Sequence, residues 1–96
     1  MKPTKKLLEH AASRLDLPAE VVAGQPRLEL TGFSRLSVEQ HRGVLEYTEE
    51  AVTVALREGK VRVTGENLSI SLMNHTFVVV DGVLRNVALE PGGGHD

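Results

Sequence analysis

Between Val52 and Leu72 the sequence VTVALREGKVRVTGENLSISL alternates apolar and polar residues with a period of two. A backbone that sends every second side chain to the same side is extended, so this stretch predicts β-strands with one greasy face. Val52, Val54 and Leu56 share a side, as do Val61 and Val63, and then Leu68, Ile70 and Leu72. Glu58-Gly59 and Gly65-Glu66-Asn67 fall between the runs and offer residues that tolerate positive φ, which predicts two tight antiparallel turns. A β-meander with one buried face is the expectation for the centre of the chain.

On either side the reading is similar. Leu28 and Leu30 alternate with Glu29 and Thr31 until Gly32; Leu36 and Val38 form the next short run; Leu45 and Tyr47 share a face before the polar turn Thr48-Glu49-Glu50. The segment Phe77-Val78-Val79-Val80, then Val83-Leu84, is apolar on both faces and is interrupted by Asp81-Gly82, a two-residue hairpin signal. Strands apolar on both sides need two covers. The second cover would be either the N-terminal segment or a neighbouring subunit, which makes Phe77, Val78, Val79, Val80, Val83 and Leu84 the candidate interaction surface. Ahead of the strands, Leu8, Ala11, Ala12 and Leu15 recur at three- and four-residue spacing behind Thr4 as N-cap, and Pro18 stops the run. These signals predict an amphipathic helix over residues 1–17. The expected organisation is that helix, a β domain over 18–90 and a Gly-rich tail over 91–96. The expected fold class is mainly β, a single small antiparallel meander closed as a sandwich, an open barrel or a short β-roll, with one N-terminal helix.

Composition narrows the function classes. A 96-residue chain holds one domain and buries ~60–65% of the surface its extended form exposes, so support from other subunits is expected where, as here, no cysteine is present. A net charge of −2 offers no basic stripe for phosphate neutralisation, so nucleic acid is not an expected partner. No apolar run approaches the ~20 residues of a membrane span, which predicts a cytoplasmic protein with no direct membrane insertion. There is no nucleophile elbow, P-loop, dinucleotide fingerprint or HExxH arrangement. Glu49, Glu50, Glu58 and Glu66 lie at predicted turns, where water keeps carboxylates ordinary, and the arginines are interspersed with acids. No enzyme and no cofactor are expected. Glu39 and His41, two residues apart, would share one face of a strand and could offer two ligands to a metal, though no third ligand accompanies them. A small-ligand or metal-binding module is therefore the alternative reading.

Three segments taken together carry a resemblance: Pro26 to Gly32 (PRLELTG), Val38 to Thr48 (VEQHRGVLEYT) and Gly59 to Ile70 (GKVRVTGENLSI). In this order and spacing they resemble the YabP/YqfC family of sporulation proteins, and the His41-Arg42-Gly43 step ahead of EYTEE resembles the YqfC branch. The resemblance runs from Leu17 to Leu89. It implies a non-enzymatic protein made in the mother cell of an endospore-forming bacterium, with no catalytic residues and no cofactor. It also implies a YqfD-type membrane protein as companion, while the homo-oligomer is expected from the small cysteine-free chain and its two-sided apolar segment. Ala23-Gly24-Gln25 and the Gly-rich tail depart from the pattern.

Overall fold

The structure, a computed structural model, describes residues 25–92. The predicted N-terminal helix over 1–17 lies outside the described residues, as does most of the tail. Six strands follow one another: β1 (Arg27–Thr31), β2 (Arg35–Glu39), β3 (Val44–Tyr47), β4 (Ala51–Leu56), β5 (Gly59–Met73) and β6 (Phe77–Pro91). They form one antiparallel sheet in the order β1-β2-β6-β5-β4-β3. The mainly β expectation holds, and antiparallel pairing throughout rules out the β-roll. The meander is confined to β3 through β6; the β1–β2 hairpin joins on the far side of β6.

That order forces the sheet to curl. In a flat sheet β2 and β3 would stand four strand spacings apart, ~19 Å. Only Gln40 to Gly43 connect them, and five fully extended Cα steps reach at most ~18 Å. This connector is not extended, because Gln40 sits at φ 66° and Gly43 at φ 123°. The long strands agree: 15 residues would run ~46 Å if straight, against a longest molecular extent of 41 Å. Folding over brings one face of the sheet against itself. Leu36 and Val38 of β2, Val52 and Val54 of β4, Val61, Val63 and Leu68 of β5, and Val78, Val80 and Leu84 of β6 become one buried cluster. Each such Val or Leu contributes ~1.5–3 kcal/mol relative to leaving it in water, and among the described residues no helix is needed to cover them.

The fold-over corrects two expected turns. Gly65-Glu66-Asn67 does not end a strand: β5 continues to Met73 with register shifts between Thr64 and Gly65, between Glu66 and Ser69, and between Ile70 and Leu72. Asp81-Gly82 is not a hairpin either, since β6 runs unbroken from Phe77 to Pro91. The glycines serve a different need. A Cβ at Gly65 would collide with the carbonyl oxygen of Val83, and one at Gly82, at φ 145°, would lie 2.7 Å from the carbonyl oxygen of Asn67. Bulges bend a strand pair where its two backbones approach closely, and only glycine fits there. The Glu58-Gly59 expectation is met with a one-residue offset: Arg57-Glu58 make the turn and Gly59 already pairs with Leu56.

The remaining turns are built from side chains. Thr48 Oγ1 accepts from the amides of Glu50 and Ala51, at 3.1 and 2.9 Å, and fixes the β3–β4 turn. Asn74 Oδ1 accepts from the amides of Thr76 and Phe77, at 2.9 and 2.8 Å, and makes the β5–β6 turn. Asn and Thr stabilise such turns by standing in for a backbone acceptor.

Candidate interaction surface

The two-sided apolar segment at the start of β6 separates by parity. Val78 and Val80 are fully buried opposite Val38 and Leu36, and Leu84 is buried further along. These three belong to the core. Phe77 and Val79 point to the other face, paired with Glu39 and Ser37 of β2, and both are half-buried. Val83 is 44% exposed. Of the six candidate residues, then, three face outward.

Leu72 joins the outward set. Alternation put it with Leu68 and Ile70, but the register shift after Ile70 turns it over, so that it pairs with Val79 and is 49% exposed. Ser37, Val79 and Leu72 thus form a row across β2, β6 and β5, with Phe77 two residues along β6 on the same face. The next row is polar. Arg35 donates from Nε to Asp81 Oδ1 at 2.6 Å and from the terminal nitrogen to Oδ2 at 3.3 Å. The Asp81 carboxyl is held below its ordinary range by that guanidinium, helped by Ser71, and Arg35 is raised in turn. On the other half of the sheet, Thr53 Oγ1 and Arg62 Nε donate to Glu46 Oε1 at 2.9 and 3.1 Å. Those bonds, Arg62 first and Thr53 second, hold Glu46 below its ordinary range. The charged groups of these two sets are paired, and the apolar row stands next to the Arg35–Asp81 pair.

The metal pair does not form. β2 ends at Glu39, and Gln40 at φ 66° breaks the alternation that would have put Glu39 and His41 on one face. Glu39 stays outside beside Phe77, whereas His41 turns in and is 7% exposed. Both imidazole nitrogens are occupied: Nδ1 accepts from the Gly43 amide at 2.9 Å and Nε2 donates to the Asn74 carbonyl at 2.7 Å. A ring nitrogen that is donating or accepting in this way has no lone pair left for a metal. Among the described residues no group of three or more His, Asp or Glu side chains converges. His41 is instead a clamp between the β2–β3 connector and the β5–β6 turn, where the Gln40 amide also donates to the Thr76 carbonyl at 2.7 Å.

A cleft of about 490 Å³ opens at the end of the curled sheet, between the start of β1, the β4–β5 turn and the end of β6. Leu28, Leu56 and Leu89 supply its apolar lining. Sequence periodicity could assign these leucines to a face but could not show that three distant strands meet. No helix among the described residues is long and apolar enough to cross a membrane.

Comparison with known proteins bears on the whole of this arrangement. The model of the YabP family matches residues 23–95. The uncharacterized protein YqfC of Bacillus subtilis (strain 168) is 27% identical over 70 residues, which cover 73% of this chain and 75% of that protein. No solved structure matches. The family match takes in all six strands, the His41 clamp and the outward row of β6, and the chain belongs to the YabP family, the YabP/YqfC group that its sequence resembles.

Proposed function

We propose that this protein is a non-enzymatic element of sporulation, a structural or scaffolding protein in the cytoplasm of the mother cell of an endospore-forming bacterium. It acts by self-association or by docking on a membrane-associated companion of the YqfD type. The sporulation role and the companion are what family resemblance implies. The observation that carries the self-association is the outward row of Phe77, Val79 and Leu72, apolar side chains on adjacent strands of one sheet face, Leu72 exposed and the other two half-buried. Association through this face is favoured over strand addition at the sheet's edges. β1 is five residues long and preceded by Pro26, and β3 is four residues long and bulged after Val44, features that discourage edge pairing.

A pair of neighbouring substitutions separates the two faces. Val78→Asp places a charge in the core and should unfold the domain, at a cost of ~4 kcal/mol or more. Val79→Asp should leave the circular dichroism spectrum native while converting the wild-type assembly, sized by light scattering at low micromolar concentration, to the 10.4 kDa chain. A wild-type protein that is strictly monomeric, and that recovers no companion from sporulating cells, would defeat the proposal.

A further inference from the structure

We propose that the cleft walled by Leu28, Leu56 and Leu89 is filled in cis by the chain's own N-terminal segment, through the stripe Leu8, Ala11, Ala12 and Leu15. Three observations meet here. The first is an uncovered core-side residue: Leu89 pairs with Val61 on the inner face, yet Val61 is 1% exposed and Leu89 64%. Leu28 and Leu56 beside it pack against the core and remain only partly buried. An inward-facing leucine left in water marks the edge of a core that is not yet closed.

The second is where the chain enters. Gln25 and Pro26 line the cleft, so residues 1–24 begin at its rim. The ten steps from Leu15 to Gln25 can reach ~35 Å, ample for the stripe to fold back. With helical spacing, Leu8 to Leu15 covers ~11 Å, about two turns. A tethered segment this close faces its site at millimolar effective concentration, which a second copy at micromolar concentration does not match.

The third is the chemistry of the lining. A small molecule would need polar groups converging inside to orient it. The charged residues here are at the rim, and two of them, Lys60 and Glu90, pair with each other at 3.6 Å. An apolar stripe therefore suits the cleft better than a polar ligand. The chain also leaves at this cleft, through Pro91, but the tail PGGGHD has no aliphatic side chain larger than proline to offer.

Because the natural sequence has no cysteine, paired cysteines report the contact cleanly. In the full chain, Ala12→Cys with Leu89→Cys, oxidised at low micromolar concentration, should close an intramolecular disulfide at a rate independent of protein concentration. Ser13→Cys with Leu89→Cys, on the opposite side of the stripe, should close at least about tenfold more slowly. Equal rates for the two pairs, no disulfide in either, or a disulfide-linked dimer as the main product would each overturn the cis assignment. A second measurement does not depend on Leu89. Leu8→Asp with Leu15→Asp should raise amide exchange at Val87 to Glu90 by about tenfold or more if the stripe covers them, and unchanged exchange would count against it.

Discussion

His41 shows how one buried side chain can tie two loops of a fold together. The connector from β2 to β3 must turn sharply, and Gln40 accepts a left-handed conformation, costly for a residue with a Cβ, to do it. The imidazole then holds the turn from both sides, since its two nitrogens reach Gly43 within the connector and Asn74 in the β5–β6 turn. His41→Phe keeps the ring's bulk and removes both bonds. It leaves the Gly43 amide and the Asn74 carbonyl, both only partly shielded from water, without these partners, and should cost ~1–3 kcal/mol in urea unfolding. A loss under ~0.5 kcal/mol would mean water replaces the imidazole and the clamp is not structural. The spacing of Glu39 and His41 suggested ligands because, in sequence, two residues apart on an extended chain share a face. A positive φ at glutamine carries no clear sequence signal, so the break at Gln40 was not legible.

At the scale of strands, the inner face was readable and the bends were not. Leu36, Val38, Val52, Val54, Val61 and Val63 alternate in sequence and are all buried, because a period of two maps directly onto the faces of a strand. The sequence pattern predicts turns at Gly65 and Gly82 because glycine marks turns and bulges alike, and the difference lies in what passes nearby. Here the two 15-residue strands fold together as one long hairpin, with Gly65 against the Val83 backbone and Gly82 against the backbone of Asn67 and Leu68. The same event hid Leu72, whose exposure follows from a register shift that alternation cannot report. Gly65→Ala tests the reading directly. In a turn the change would cost little where φ is ordinary, and Gly65 is not among the positive-φ residues. Against the Val83 carbonyl the methyl group forces the β5–β6 backbones apart, and the loss should be ~3 kcal/mol in chemical unfolding, at the upper end of overpacking costs. A neutral Gly65→Ala would return the segment to an open turn.

The molecule as a whole is two halves of one sheet folded together, each half braced on its outer face by a carboxylate and an arginine. Arg35 and Asp81 join β2 to β6, and Glu46 with Thr53 and Arg62 joins β3, β4 and β5. Thr53 is buried, but the charged partners stand between 28% and 53% exposed, so each ion pair is worth little at neutral pH and in salt. Their contribution nevertheless has a definite sign. Both carboxyls titrate below their ordinary values in the folded chain, Asp81 through Arg35 and Glu46 through Arg62, so the folded state binds these protons less readily than the unfolded state. Stability from the two groups is therefore complete above the unfolded carboxylate range and is lost as pH falls through that range to the lower folded values. Arg35 is raised, so its own contribution is lost only far on the alkaline side. The share of the urea midpoint that these two carboxyls supply should accordingly be full above about pH 5.5 and fall below about pH 4.5, where carboxylates begin to bind protons in the unfolded chain. Asp81→Asn combined with Glu46→Gln should lower the neutral plateau slightly and make the acid limb shallower. If the double variant follows the wild-type profile at every pH, the braces do not contribute, and the folded-over sheet is held by its valine and leucine core and the His41 clamp alone.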